Sequence, residues 1–178
     1  QKQGEKVKVT CTKSNEGFAT AGGVQYVACA GNFKDAGLEY TGALKVLQMI
    51  FSYEYLWIQI RVKGGAYGCM CSFSDQGDSM FVTYRDPNLS ESYKVYDEAA
   101  DYVADFDADD RDMKKYIIGT IGSMDMPMEA VDMGARSFHA YFLGKTEADL
   151  QKVRDQVLSC TQEDIRALAP IVKAVVDA

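Results

Sequence analysis

The fold is decided by residues 56–73, which read LWIQIRVKGGAYGCMCSF. The stretch begins at the end of an apolar, aromatic-rich segment and reaches the paired glycines Gly64 and Gly65. Paired glycines commonly end a helix, because glycine adopts the left-handed backbone conformation that helix C-termini use. Beyond them, alternate positions hold side chains that would share one face of a half-buried strand: Tyr67, Cys69, Cys71 and Phe73. The stretch therefore predicts a helix that leads directly into a strand.

Two side chains around this turn could act on an oxygen atom. Arg61 carries a permanent cation with several N–H donors, and Tyr67 carries a phenol that can donate a hydrogen bond. Gly64 and Gly65 have no Cβ, so the backbone of another molecule can approach them closely. This combination suits a polarised carbonyl or an oxyanion. The alternative, which the residues alone favour, is structural, because glycine pairs often end helices and nearby Arg and Tyr often cap carbonyls or cover a sheet edge.

Outward from this stretch, the sequence predicts a sheet in the N-terminal half of the chain. Apolar residues at helical spacing predict a helix over residues 38–60, and its few charges indicate burial on most sides. Alternating or apolar runs predict four strands, with a hairpin turn at Asp75-Gln76-Gly77 between the last two: residues 5–13, 23–32, 66–74 and 78–85. Residues 23–32 are expected to be more buried than residues 5–13.

Helices are predicted from residue 86 to the end of the chain. Their starts are indicated by capping residues and prolines: Asp86 with Pro87, Asp109 or Asp110, Asp125 to Pro127, Thr146 and Thr161. The second helix, around residues 113–118, is expected to be short and to end near Gly119 or Gly122. Pro170 is expected to kink the last helix.

Length, composition and charge limit the classes of protein that this chain can represent. It has 178 residues with 47% hydrophobic and 25% charged content, which fits one globular domain over residues 1–178. The net charge of −7 argues against nucleic acid as a partner. No run of about 18 apolar residues occurs, so no membrane-spanning helix is predicted. The chain begins QKQGEKVKVT without a methionine, which is typical of a piece of a longer protein.

The cysteines indicate a reducing compartment. There are five, an odd number at wide spacing, which does not resemble a disulfide framework: Cys11, Cys29, Cys69, Cys71 and Cys160. Buried free thiols in the cytoplasm or an organelle matrix are the interpretation that fits this pattern. A metal site would need further soft ligands near Cys69 and Cys71, and none is visible in the sequence.

The chain lacks a complete set of catalytic groups. His139 is the single histidine, within a predicted helix, and is interpreted as a helix-face residue rather than a ligand. The inverted zinc motif H-x-x-E-H is absent, and no second histidine exists for a Ser or Cys triad. The segment KGGAYG has the spacing of neither a P-loop nor a dinucleotide-binding fingerprint. We therefore predict no metal or cofactor bound by this chain itself.

Four segments together resemble one protein family. RVKGGAYG at residues 61–68 is followed by FVTYRDPNL at residues 81–89, and both stand between GVQYVACAGNF at residues 23–33 and IIGTIGSMD at residues 117–125. This combination resembles the C-terminal half of presequence-protease-like zinc peptidases, which belong to the pitrilysin/insulinase family. The resemblance extends through most of the chain.

The resemblance implies a fold and a division of labour. The chain would be the last domain of a four-domain peptidase, an α+β domain whose mostly antiparallel sheet is packed on one side by several helices. Zinc and the general base would lie in the N-terminal half of the same protein, and a peptide substrate would lie between the halves. Tyr67 would donate to the scissile carbonyl or oxyanion, and Arg61 would hold a nearby substrate carbonyl. Gly64, Gly65 and Ala66 would leave room for the peptide backbone.

The expected function is therefore a share in the zinc-dependent cleavage of short unfolded peptides, with the isolated chain inactive. Two alternatives remain at this point. The chain could be a non-catalytic structural subunit that keeps the same fold, or it could be a peptide-binding module that uses an exposed sheet edge.

Overall fold

A computed structural model describes residue 10, residues 16–19 and residues 21–178. The strands are β1 (Ala28–Asn32), β2 (Gly68–Phe73) and β3 (Asp78–Tyr84). The helices are α1 (Ala43–Ile50), α2 (Ser90–Asp97), α3 (Ala99–Ala104), α4 (Asp110–Met124), α5 (Ala130–Phe142), α6 (Glu147–Leu158), α7 (Gln162–Arg166) and α8 (Ala169–Val176). The strand predicted over residues 5–13 lies outside the described residues, apart from Thr10, and so does Cys11.

The described strands form one antiparallel sheet in the order β1-β3-β2. Phe81, in the central strand, lies opposite Cys29 of β1 and Cys71 of β2. The turn between β2 and β3 contains Gly77 at φ +97°, a backbone conformation that glycine adopts without strain. The predicted hairpin is confirmed. The segment predicted as a buried strand over residues 23–32 is wrong in extent, because regular pairing begins at Ala28 and β1 has two exposed residues.

Within the described part of the chain, helices cover one face of this sheet, and the other face carries exposed side chains. The side chains of Ser79, Phe81 and Thr83, at alternate positions of β3, are buried under helices. On the opposite face, Met70 and Met80 are 54% and 45% exposed. This two-layer arrangement confirms the α+β class and the antiparallel sheet, and it gives the candidate site an uncovered sheet surface as a neighbour.

The long helix that precedes the paired glycines changes its hydrogen bonding part way along. It starts at Ala43 rather than at residue 38, after a 3₁₀ turn at Phe33–Ala36. Beyond α1 it continues as two π-helical segments, Phe51–Tyr55 and Trp57–Lys63, in which N–H groups bond five residues back. The wider turn brings buried side chains to every fourth or fifth position, and Phe51 contacts Phe73 and Phe81 in the core.

The C-terminal helices follow the predicted capping signals in part. Asp109 caps α4, and Thr146 and Thr161 form the predicted capping boxes with Asp149 and Asp164. Four expectations are wrong in detail. The helix predicted to start at Asp125 to Pro127, α5, begins at Ala130 after Glu129. The second helix, α4, runs through both glycines to Met124 instead of ending near them; the first helix, α2, begins at Ser90, after Pro87; and Pro170 lies in the first turn of α8, so it begins a helix rather than kinking one.

Helix α5 stands apart from the core. All of its residues are described, and none of them is buried. Its apolar side chains include Phe138 and Tyr141, which are 66% and 80% exposed. None of the helices in the described part of the chain is both long and apolar enough to cross a membrane.

Candidate functional site

The long helix and the strand that follows it bring Arg61 and Tyr67 together. Arg61 lies in the last turn of the π-helical segment Trp57–Lys63, and Tyr67 immediately precedes β2. Between them, Gly65 adopts φ +77° and reverses the chain. The six-residue separation in sequence thereby becomes direct contact, because one N–H of the Arg61 guanidinium (Nη1) donates to the carbonyl oxygen of Tyr67 at 2.8 Å.

The guanidinium of Arg61 is held on two sides and remains exposed to solvent. Its Cζ lies 4.3 Å from the ring centroid of Trp57, one helical turn earlier, and 5.9 Å from that of Tyr67. Stacking on an indole face orients the guanidinium plane and adds a cation–π attraction. A guanidinium has five N–H donors, and the hydrogen bond to Tyr67 uses one of them, so others can bind an oxygen atom of a second molecule.

The phenol of Tyr67 faces solvent. The side chain is 65% exposed, and its ring meets that of Tyr84 edge to face at 5.6 Å between centroids. Among the described residues, none is a hydrogen-bond partner of the Tyr67 hydroxyl. The expectation that Tyr67 shares a strand face with Cys71 and Phe73 is wrong: both of those are buried, and the strand begins after Tyr67, at Gly68. The bend at the turn frees this side chain from the sheet alternation.

The turn itself satisfies its own backbone N–H groups. Gly64, Gly65 and Ala66 donate to the carbonyls of Gln59, Arg61 and Ile60, the pattern that closes a helix C-terminus. A Cβ at position 64 would stand 2.5 Å from the carbonyl oxygen of Ile60. At position 65 a Cβ would meet nothing closer than 3.8 Å. Glycine is therefore required at 64 by contact and at 65 by conformation, while Ala66 is buried.

These N–H groups, being already used, do not make a backbone oxyanion hole. The side chains of Arg61 and Tyr67 are the donors that the turn directs outward. The space above Gly65, which is exposed, remains open to the backbone of another molecule.

A buried carboxylate supports the turn from the opposite side, and sequence reasoning did not assign it this role. Asp86 is fully buried and accepts hydrogen bonds from the Ser92 hydroxyl at 2.6 Å and the Asn88 backbone N–H at 2.9 Å. The Asn88 side chain in turn donates to the carbonyl oxygen of Gly64. Asp86 was expected to cap a helix directly. Instead it orders the 86–92 segment, which ties the glycine turn to α2.

The cysteines near the site are protonated thiols. Burial raises the pKa of Cys69 to about 11, although the Arg61 cation opposes that shift. Burial also raises the pKa of Cys71 well above its ordinary value. Of the described cysteines, Cys71 and Cys160 are buried, and Cys29 and Cys69 are half-buried. The described residues contain no group of three or more His, Cys, Asp or Glu side chains placed to hold a metal ion.

The open face of the sheet continues from the site. The rings of Tyr26 and Tyr84 meet edge to face at 5.3 Å, and the Arg85 guanidinium lies 5.6 Å from the Tyr84 centroid. Met70 and Met80 extend the same surface. Exposed aromatic, thioether and guanidinium groups beside an uncovered sheet form a surface suited to an extended peptide.

The sequence is similar to that of known proteins over most of its length. The model of the PreP C-terminal domain matches residues 15–178. Protein HypA of Clostridium perfringens is 44% identical over 161 residues, which cover 90% of this chain and 16% of that protein. Presequence protease 1, chloroplastic/mitochondrial, of Arabidopsis thaliana is 35% identical over 164 residues, 92% of this chain and 15% of that protein. The mitochondrial presequence protease of Aspergillus fumigatus is 35% identical over 127 residues, 71% of this chain and 12% of that protein.

The chain therefore spans about one-sixth of the length of the first two of these relatives. The match covers the whole candidate site, from Trp57 through Asn88, and both the strands and the helices of the described fold. This protein belongs to the family of presequence-protease C-terminal domains.

Proposed function

We propose that this chain is the C-terminal domain of a zinc-dependent metalloendopeptidase that degrades short unfolded peptides. In this proposal the domain completes the substrate chamber, and the zinc and the general base lie in the N-terminal half of the same polypeptide. In this proposal the present chain contributes hydrogen-bond donors and a binding surface. The relatives named presequence protease support the peptidase class.

One observation carries the proposal: an exposed phenol without an internal partner in the described part of the chain stands next to an exposed, stacked guanidinium. Tyr67 would donate its hydroxyl proton in a hydrogen bond to the oxygen of the scissile carbonyl. That bond would strengthen as negative charge develops on the oxygen, which is how such a donor lowers a reaction barrier. Arg61 would hold a neighbouring substrate carbonyl with its remaining N–H groups.

The surroundings of this pair support the binding of an extended chain. Gly64 and Gly65 would admit the peptide backbone, with Ala66 beneath them. The open sheet face beyond Tyr84 would accept substrate side chains. The substrate chamber would close only when the other half of the enzyme covers this face. The hydrogen bonds from Arg61 and Tyr67 would then form in a drier environment, where they are stronger.

The compartment that we propose for this protein is a reducing one. The free thiols of Cys69, Cys71 and Cys160 fit the cytoplasm or an organelle matrix. Two of the relatives carry mitochondrial or chloroplastic in their names.

A direct test uses the full-length protein with an unstructured, internally quenched peptide. We expect cleavage that chelation abolishes and stoichiometric zinc restores, while the 178-residue chain alone neither cleaves the peptide nor retains zinc. If the full-length protein bound and released the peptide intact, it would be a peptide-binding or structural relative of the peptidases instead.

A further inference from the structure

A pocket lies at the far end of the sheet from Arg61 and Tyr67. It has a volume of about 470 Å³ and is lined by residues in or next to α1, β2 and the β2–β3 turn, and α4, α5 and α6, among them Tyr40, Lys45, Phe73, Asp75, Arg136 and Lys145. Tyr67 precedes the first residue of β2, and Asp75 follows its last residue, Phe73. A strand rises about 3.3 Å per residue, so the six residues of β2 separate the two places by roughly 20 Å.

The pocket concentrates positive charge in a chain that is acidic overall. Lys45, Arg136 and Lys145 line it against one carboxylate, Asp75, which leaves two positive charges in excess. Lys145 is already engaged, because its ammonium pairs with the Asp75 carboxylate. The net charge of the chain is −7, so acidic residues outnumber basic ones and a local excess of cations is unusual. Three cations around one concave surface therefore favour the binding of an anion.

Lys45 is acted on by both favourable and unfavourable charges. It is half-buried on α1, and no described residue forms an ion pair or a side-chain hydrogen bond with its ammonium. The groups that act on it electrostatically are Asp75, which stabilises the cation, and Lys145 and Arg136, which oppose it. Burial, reinforced by those two cations, lowers the pKa of Lys45 below its ordinary value. A bound anion would offset part of the cost of burying the Lys45 cation and of its repulsion by Lys145 and Arg136.

The remaining lining distinguishes between kinds of anion. Phe73, Leu150 and Val153 give the pocket an apolar wall, and Ser74 adds a hydroxyl. A neighbouring pocket of about 370 Å³ shares Lys45, Ser123 and Met124 with it, so the space continues along α1 and α4. A fully hydrated inorganic ion would use the cations and leave the apolar wall bare. A small organic acid would use both.

We propose that this pocket binds the carboxylate of a small organic acid that carries an apolar side chain. The carboxylate would lie between Lys45 and Arg136, and the side chain would cover Phe73 and Leu150. Two sources share this chemistry: the C-terminal end of a short peptide, and a free acid of low molecular mass. The site is separate from Arg61 and Tyr67 and does not depend on the function proposed for them.

The test measures binding to the full-length protein by titration calorimetry and ligand-observed NMR, with N-acetyl-leucine as the probe. Its amide keeps the side chain and removes the charge, while acetate and inorganic phosphate keep the charge and remove the side chain. Leu-Leu, with a free C-terminus, distinguishes a peptide end from a free acid. We expect N-acetyl-leucine or Leu-Leu to bind at least about tenfold more tightly than the amide, because the amide lacks the carboxylate that accepts charge-assisted hydrogen bonds.

Variants locate the site. Lys45→Met and Arg136→Gln should each weaken binding of the probe by about tenfold, while Lys94→Met should leave it unchanged. Lys94 is the control, since it lies on the surface of α2, pairs with Glu98 and is not among the residues that line this pocket. Arg136 is exposed on α5, so its replacement keeps the test valid if Lys45→Met fails to fold. Equal binding of the acid and its amide, equal affinity for phosphate or acetate, or unchanged binding in Arg136→Gln would overturn the proposal.

Discussion

Replacing Tyr67 with phenylalanine isolates a single hydroxyl group. The side chain is 65% exposed, and its hydroxyl has no hydrogen-bond partner among the described residues. The ring contact with Tyr84 involves carbon atoms and remains in the variant. The free energy of unfolding should therefore change by less than about 0.5 kcal/mol, the usual range for surface substitutions. Any larger effect on activity would come from the reaction and not from the fold.

The expected effect on turnover is large if Tyr67 donates to the developing oxyanion. Removing one such donor costs about 3 kcal/mol of transition-state stabilisation, which lowers kcat roughly 100- to 1,000-fold with KM nearly unchanged. The assay is steady-state cleavage of a quenched peptide by the full-length protein, with thermal unfolding measured in parallel. Tyr84→Phe is the matched control, because it removes a phenol from the same aromatic pair and should keep kcat. A Tyr67→Phe enzyme with the parent's kcat would refute the assigned role.

Three further changes test the framework of the site. Arg61→Lys should lower kcat/KM by about tenfold or more, since an ammonium cannot both stack on Trp57 and donate as a planar fork; peptide kinetics would measure it. Gly65→Ala should cost about 1–2 kcal/mol in chemical denaturation, because φ is +77° and no contact opposes the new methyl group. Asp86→Ala should cost about 2–3 kcal/mol by the same measurement, because it leaves the buried Ser92 hydroxyl without its acceptor; a loss below 0.5 kcal/mol would contradict the supporting role.

Local sequence signals predicted the parts of the fold that depend on neighbouring residues. The turn at Gly77, the capping boxes at Thr146 and Thr161, and the helix end at Gly64 each rest on backbone chemistry within a few positions. They were confirmed because the groups that form each turn or cap are close in sequence. The roles of Arg61 and Tyr67 came from the family resemblance, and they stay predictions.

The features that the sequence did not predict depend on tertiary contacts. The glycines of α4 did not end it, because one face of the helix packs against the core at Met113, Tyr116 and Thr120. That burial outweighs the low helix propensity of Gly119. Likewise, nothing local indicates that Asn88 bonds the carbonyl of Gly64, 24 positions earlier in the chain.

The π-helical register did leave a trace in the sequence. The buried residues Phe51, Leu56 and Ile60 recur at intervals of five and four, longer than the α-helical period, and Ile58 and Val62 are consequently left on the exposed side. At the α-helical spacing of 3.6 residues, the apolar side chains of this segment lie on all sides, which predicts an ordinary buried α-helix.

The π-helical register also determines the direction in which the Arg61 guanidinium points from the helix. Successive residues of an α-helix turn by about 100° around the axis, so losing one residue swings everything downstream by that angle relative to everything upstream. Tyr53 is exposed within the first π-helical segment, and its deletion would let the segment rewind as α-helix while the core residues before it stayed in place. Arg61 would then point away from Tyr67, although neither residue had been altered. Each of the two π-helical segments therefore contributes to the rotation that sets where Arg61 points.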